Sequence, residues 1–176
     1  MRRTVILPFT AATVVAALLT VSGRAHADPF IGVDADGALP VNANNLVNGG
    51  GGFGIRAGEQ IHVPLLRVAG EIGYGYEHLF AEEATSDWTT NRVFAGARLA
   101  IGELVTPFAF AHVGYGWRNT SDNSYGGGGV AFDGGLGLDI NLGIVAFGGH
   151  VGYAFINAQP VTPQWVILGL DATIVF

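Results

Sequence analysis

The sequence predicts an all-β protein, an eight-stranded antiparallel up-and-down transmembrane β-barrel that follows a cleaved signal peptide. Three observations support this fold class. Apolar and tolerant residues alternate with a period of two in eight segments, the pattern of strands with one apolar face. Short and long connections alternate between the segments. Although apolar residues are abundant, no segment after the signal peptide reaches the roughly 18 apolar residues of a membrane-spanning helix.

The N-terminus has the features of an export signal. A positively charged start is followed by the apolar run Val5–Val21 and by the small residues Ala25 and Ala27. This order predicts a signal peptide in residues 1–27, cut after Ala27, and one barrel domain in residues 28–176. An uncleaved membrane anchor is the weaker alternative because polar residues dilute the apolar run.

The mature chain is acidic and has no cysteine. Of the 8 arginines in the sequence, three lie in the signal peptide, which leaves five against 14 acidic residues and a formal net charge of −9. Such a chain is a poor nucleic-acid binder, because phosphate contacts need clustered cations. Without cysteine it has no disulfides, and a closed barrel is one way to stabilise it.

Most of the eight alternating segments meet the 9–11 residues that a tilted strand needs to cross a bilayer. The first is the shortest. The segments are Phe30–Asp36, Gly51–Ile61, Val63–Glu77, Trp88–Ile101, Val105–Arg118, Gly129–Asn141, Gly143–Ile156 and Gln164–Phe176.

The connections indicate which ends of the strands lie together. The long polar connections are Leu39–Gly50, His78–Asp87, Thr120–Gly128 and Asn157–Pro163. The tight joins are Glu59–Pro64, Gly102–Thr106 and Asn141–Gly143. An even strand number then places both termini on the side of the short turns.

The parity of each segment separates an apolar face from a charged one. The charged face predicts a luminal network of ion pairs and hydrogen bonds, because an arginine facing lipid at mid-bilayer would cost roughly 2–4 kcal/mol. The predicted luminal residues are Asp34, Arg56, Arg67, Glu71, Arg92, Arg98, His112, Asp133, Asp139, His150 and Asp171. Arg118 is predicted at the rim.

The interior is predicted to be packed and closed. Eight strands leave room for side chains only, and many of the 28 glycines share the luminal parity, which makes space for long arginines. Phe94, Phe108 and Phe110 also have this parity, which predicts an apolar plug toward the short-turn half.

Aromatic residues are expected to form belts at the two ends of the strands. Tyrosine and tryptophan collect near the long connections, at Tyr74, Tyr76, Trp88, Tyr115, Trp117, Tyr153 and Trp165. Phenylalanine collects near the short turns, at Phe30, Phe108, Phe147 and Phe176. Trp88 and Trp165 share the luminal parity, so either could close the barrel mouth instead of facing lipid.

With these features the chain resembles the small eight-stranded bacterial outer-membrane barrels of the OmpA-transmembrane-domain and OmpX type. The resemblance covers residues 28–176 and implies a place in the outer membrane of a Gram-negative bacterium, with both termini periplasmic. It also implies that the last strand, with Leu170, Ala172, Ile174 and Phe176, is the assembly signal. The implied partners are outer-membrane lipids and lipopolysaccharide, the barrel assembly machinery and periplasmic chaperones.

The sequence is compatible with three functions. A structural or interaction role at the cell surface, with an extracellular partner bound by the long loops, is preferred. Transport of a small solute is the alternative, and a lipid A-modifying enzyme is the third. Barrel enzymes that modify lipid A use a histidine, a serine and a carboxylate. No serine lies beside His112 or His150, because all serines of the mature chain fall in connections. We therefore expect no enzyme and no catalytic residue. We also expect no cofactor and no metal.

Two loop motifs have alternative interpretations. Glu77, Glu82, Glu83 and Asp87 are predicted to form a solvated acidic loop, with binding of a divalent cation as the alternative. The glycine runs at 49–52 and 126–129 lack the lysine and the following helix of a phosphate-binding loop, so they are interpreted as mobile joins between loop and strand.

Overall fold

The computed structural model describes residues 27–41, 47–81, 86–120, 126–159 and 162–176. These residues form eight strands and no helix. The strands are β1 Ala27–Pro40, β2 Val47–Val63, β3 Leu66–Ala81, β4 Trp88–Ile101, β5 Val105–Thr120, β6 Gly127–Leu142, β7 Val145–Ile156 and β8 Gln164–Val175.

The strands close into one antiparallel barrel in sequence order. Each strand pairs with the next, and β8 pairs back onto β1 from Phe30↔Val175 to Pro40↔Trp165. Closure pairs the backbone groups that an open sheet would leave at its edges. The predicted fold class, an eight-stranded up-and-down barrel, is confirmed.

Five of the eight strands, β1, β2, β3, β5 and β6, are longer than predicted, and the first three long connections are correspondingly shorter. β1 has 14 residues instead of seven, and β2 already begins at Val47. The glycine run at 49–52 lies within β2, and Gly127–Gly129 begins β6, instead of forming loop joins. A ladder of backbone hydrogen bonds needs no side chain, so glycine continues it where the alternating pattern ends.

The opposite end of the barrel is closed by tight turns. Leu65, Gly102 and Gly143 have positive φ angles of 65°, 106° and 78°. At the last two positions glycine adopts this conformation without steric cost. The short joins therefore follow from backbone geometry, and the predicted alternation of short and long connections is present.

Apolar side chains cover the outside of the barrel. Ile72, Leu136 and Leu170 are 65%, 63% and 70% exposed, whereas the charged residues of the same strands face inward. Among the described residues, no helix is long and apolar enough to cross a membrane. The core of this molecule is the lumen, and its outer surface is the apolar one.

The predicted signal peptide lies almost wholly outside the described residues. Residues 1–26, including Ala25, are not described, and Ala27 is the first residue of β1. Cleavage after Ala27 stays a prediction.

Candidate functional site

The lumen contains all eleven charged residues that the sequence assigned to it, each buried or half-buried. The alternation within each strand accounts for this, because neighbouring residues point to opposite faces of the wall.

Arg56 of β2 is the most heavily bonded cation. It pairs with Asp34 of β1, and its Nη2 donates to Asp171 Oδ2 at 3.0 Å and to Thr173 Oγ1 at 2.7 Å. Its Nε lies 3.4 Å from Glu71 Oε2. Asp34 and Asp171 are register partners on β1 and β8. Like charges directly opposite repel, so a cation between them stabilises the seam that closes the barrel.

Arg92 of β4 forms a second centre nearer the long loops. It pairs with Glu77 and donates through Nη1 to Asp133 Oδ2 at 2.5 Å. Its guanidinium lies 5.2 Å from the ring centroid of Trp165. Thr90 Oγ1 donates to the other oxygen of Glu77 at 2.7 Å. This pair is buried and has strong hydrogen bonds.

His112 of β5 links the two centres. Its Nδ1 lies 2.5 Å from Asp133 Oδ1 and its Nε2 lies 2.7 Å from Glu71 Oε1. A neutral imidazole has only one N–H, so contact of both nitrogens with carboxylates fits an imidazolium. Phe94 stacks on the ring at a centroid distance of 4.4 Å.

Arg98 of β4 is held more loosely. Its nitrogens are 3.8 Å from Glu71, 3.6 Å from Asp139 and 3.7 Å from Asp171, all beyond hydrogen-bond distance. The guanidinium lies 4.1 Å from the ring centroid of Phe108. Coulombic attraction and the ring hold this arginine in place.

Arg67 and His150 complete the predicted set. Arg67, near the short turns, donates to Asn141 Oδ1 at 3.3 Å. His150 of β7 lies between Asp36, 3.2 Å from its Nε2, and Asp171, 3.6 Å from its Nδ1. Phe110 meets the ring of His150 edge-on at 5.7 Å.

Sequence reasoning missed two luminal carboxylates. Asp36 has the parity of Asp34, and Glu77 has the parity of Glu71, so the alternation could have found both. Glu77 was predicted in a solvated acidic loop, and the structure contradicts this, because β3 continues past it and buries it to 1% exposure. Glu82 and Glu83 lie outside the described residues.

An apolar cap closes the lumen at the long-loop end. Trp88 and Trp165 are 2% and 0% exposed, so both turn inward instead of joining the outer belt. Arg118, predicted at the rim, is also fully buried, with its guanidinium 4.6 Å from the Trp88 ring centroid. The remaining members of the cap are Ala38, Val47, Leu79, Ala131, Ala154, Ile156, Ala158 and Ile167.

The three phenylalanines of the predicted plug also face the lumen. Phe108 is buried, and Phe94 and Phe110 pack on the luminal histidines. Phe30, expected in the belt, is 4% exposed and also faces inward, because it shares the parity of Asp34. Glycine makes room for these rings, since a Cβ at Gly135 would lie 2.9 Å from Phe110 Cε1.

The lumen has little free space. One cavity of about 40 Å³ lies among Arg56, Arg92, His112 and His150, and another of about 30 Å³ lies among Arg67, Arg98 and Asp139. A cavity needs roughly 10–15 Å³ to hold one water. These spaces therefore fit a few waters or one ion.

Among the described residues, Thr89, His78 and Asp87 place a hydroxyl, an imidazole and a carboxylate next to one another. This group lies outside the lumen. Thr89 Oγ1 is 3.4 Å from His78 Nδ1, and His78 Nε2 is 3.3 Å from Asp87 Oδ2. The first distance exceeds the roughly 2.6–3.2 Å of an activated nucleophile and its base. Ser121 and Ser124 lie outside the described residues.

No protein-family model and no curated protein matches the sequence. Solved structures do match. Neisserial surface protein A aligns with a TM-score of 0.67 and 15% identity, covering 86% of this chain and 99% of that one.

Two further structures align less closely. The N-terminal β-barrel domain of Pseudomonas aeruginosa OprF aligns with a TM-score of 0.51 and 12% identity, over 86% of this chain and 100% of that one. Ail, the attachment invasion locus protein of Yersinia pestis, reaches only 0.47 at 17% identity, over 84% and 97%. That last likeness is too weak to carry an argument. Taken with the closed barrel, the first two matches establish that this chain has the fold of the eight-stranded outer-membrane β-barrels.

Proposed function

We propose that the chain is an integral outer-membrane protein with a packed lumen, and that its role at the cell surface is structural or interactive. The observation that carries the proposal is the inversion of polarity across the wall. Charged side chains fill the lumen, and large apolar side chains cover the outside. Lipid is the medium in which such a surface is stable.

The distribution of arginine supports this location. All five arginines after the predicted signal peptide are buried or half-buried, so none lies exposed on the outer wall. Contacts with lipids and lipopolysaccharide are therefore made by apolar atoms of the wall.

Aromatic residues on the outer wall support a membrane interface near the long connections. Tyr115 is 54% exposed and packs against Trp117 at a centroid distance of 6.5 Å. The Tyr74 hydroxyl donates to Asn91 Oδ1 at 2.5 Å, so the amide oxygen of this residue of the outer wall has a hydrogen-bond partner. Toward the short turns, Phe147 and Phe176 are 54% and 69% exposed. Rings at both ends are typical of membrane barrels.

The orientation can be tested with single cysteines, because the natural sequence has none. Ser86→Cys lies beside a long connection, and Glu103→Cys lies in a tight turn. We expect a membrane-impermeant maleimide to label the first variant on intact cells. The second should be labelled only after the outer membrane is opened. Labelling of Glu103→Cys on intact cells, or recovery of the protein in a soluble periplasmic extract, would contradict the proposal.

The packed lumen argues against the transport alternative. The apolar cap around Trp88 and Trp165 and the ion pairs below it leave cavities of only about 40 and 30 Å³. We expect planar bilayers containing the purified protein to show no steady channels. Discrete openings of nanosiemens size would overturn the packed-lumen proposal.

The partners follow from the location. The barrel assembly machinery and periplasmic chaperones would handle the chain before insertion, and an extracellular partner would meet the long connections. We do not propose an enzyme. Mass spectrometry of lipid A from cells with and without the protein tests this, and a changed acyl pattern would contradict it.

A further inference from the structure

The two luminal histidines have similar neighbours but different contacts. Both nitrogens of His112 lie within 2.7 Å of carboxylate oxygens. His150 is 8% exposed, yet its Nδ1 has no hydrogen-bond partner and lies 3.6 Å from Asp171 Oδ1. Hydrogen bonds between nitrogen and oxygen span about 2.7–3.2 Å. The contact at His150 is therefore too long for a hydrogen bond, although both groups are buried.

Asp34 and Asp171, the two aspartates bound by Arg56, each have one carboxylate oxygen that Arg56 does not contact. Arg56 binds Asp171 through Oδ2 and Asp34 through Oδ1. Asp171 Oδ1 is buried without a hydrogen-bond partner. Asp34 Oδ2 points toward Gly54, where a Cβ would lie 2.8 Å from it. Asp34, His150 and Asp171 each offer a ligand atom, and these three atoms lie within 4.8 Å of one another.

The charges of the described lumen favour a bound cation. Seven carboxylates face five guanidiniums, an excess of two negative charges. The carboxylates are Asp34, Asp36, Glu71, Glu77, Asp133, Asp139 and Asp171, and the guanidiniums are Arg56, Arg67, Arg92, Arg98 and Arg118. His112, bonded to carboxylates at both nitrogens, accounts for one charge as an imidazolium. One negative charge remains when His150 is neutral, and unpaired charge is costly in a buried site.

We propose that Asp34, His150 and Asp171 bind one divalent transition-metal ion, such as Zn²⁺, inside the barrel. Imidazole and carboxylate together suit this class of metal. Two ligands about 2.1 Å from a tetrahedral metal are about 3.4 Å apart. The 3.6 Å between His150 Nδ1 and Asp171 Oδ1 is close to that separation.

The surroundings of His150 fit the same arrangement. With Nδ1 on the metal, Nε2 carries the proton and donates toward Asp36 Oδ1, which is 3.2 Å away and has no other partner. Ligating histidines commonly donate their second nitrogen to a carboxylate. The adjoining cavity of about 40 Å³, lined by Asp34, Asp36 and His150, has room for a water as the fourth ligand. Arg56 keeps the opposite oxygens of the two aspartates.

The test measures metal binding by the folded, full-length protein purified in detergent and stripped with chelator. His62 is exposed and His78 is half-buried on the outer wall, and each lies beside an aspartate, so both are first changed to glutamine to remove these sites. In this background we expect one Zn²⁺ per barrel after dialysis. His150→Gln and Asp171→Asn should each weaken binding at least tenfold. His112→Gln removes a luminal imidazole outside the site and should keep the metal, with circular dichroism confirming that each variant is folded.

Spectroscopy on the protein without substitutions in the lumen covers the case in which a variant fails to fold. X-ray absorption at the zinc edge should show one imidazole and otherwise oxygen ligands. The absence of stoichiometric binding, two imidazoles at the metal, or undiminished binding by folded His150→Gln would each overturn the proposal. A barrel that takes up no metal would instead hold His150 as a proton-bearing bridge between Asp36 and Asp171.

Discussion

Arg98 and Leu99 are neighbours on β4, but they lie in opposite surroundings. Arg98 is enclosed among three carboxylates and the ring of Phe108, whereas Leu99 is 49% exposed on the outer wall. The lumen depends on specific partners, because each buried charge needs a counter-charge. The outer wall needs apolar side chains but no specific partner for each of them. Substitutions should therefore have large, position-specific effects inside and small effects outside unless they introduce charge.

The largest effect is expected at Arg92. Arg92→Leu leaves Glu77 and Asp133 buried without their shared cation. Removing one partner of a buried ion pair costs about 3–5 kcal/mol. We expect a loss of this size in the free energy of unfolding, measured by urea titration in liposomes. A loss below that of Leu99→Ala would mean that the two faces of β4 are wrongly assigned.

The next largest effect should come from a charge on the outer wall. Ile72 is 65% exposed and lies near the middle of β3. Ile72→Arg would place a guanidinium in lipid at a cost of about 2–4 kcal/mol at mid-bilayer. The same titration in liposomes measures it, with Ile72→Ala as the size control. If arginine and alanine there have equal effects, this wall does not face hydrocarbon.

The sequence predicted which side chains face the lumen and which face outward. It predicted less well which luminal residues contact one another. Alternation alone assigned Arg98 inward and Leu99 outward, because the period of a strand is a local property. It missed Glu77 because this residue ends the predicted third segment and was grouped with the acidic residues of the following connection, although it has the parity of Glu71. The meeting of Asp34, His150 and Asp171 could not be read from spacing, since they lie on β1, β7 and β8 and come together only when the barrel closes.

A smaller effect is expected when the two neighbours are compared directly. Arg98→Leu should destabilise the barrel by about 2 kcal/mol, less than the roughly 3–5 kcal/mol for breaking a close buried ion pair, because its ion pairs are all longer than 3.5 Å. Leu99→Ala should cost less than about 1 kcal/mol, as a truncation on an exposed surface. Parallel urea titrations give the difference. A larger loss for Leu99→Ala would reverse the assignment of the faces.

The smallest effect on stability is expected at the end of the chain, where the side chain has a proposed role before folding is complete. Phe176 is 69% exposed, and its backbone N–H donates to Pro29 O at 2.9 Å, a bond that any residue can make. Phe176→Ala should therefore change the free energy of unfolding by less than about 0.5 kcal/mol. If the ring is read during assembly, together with Leu170, Ala172 and Ile174, the variant should nevertheless accumulate poorly in the outer membrane. Quantitative immunoblots of membrane fractions, beside urea titrations of the refolded protein, separate the two quantities.

Val145→Ala, on the outer wall at the same end of the barrel, is the matched control and should accumulate normally. Normal accumulation of Phe176→Ala would remove the assembly role, and an equal loss in stability and accumulation would make Phe176 an ordinary part of the wall.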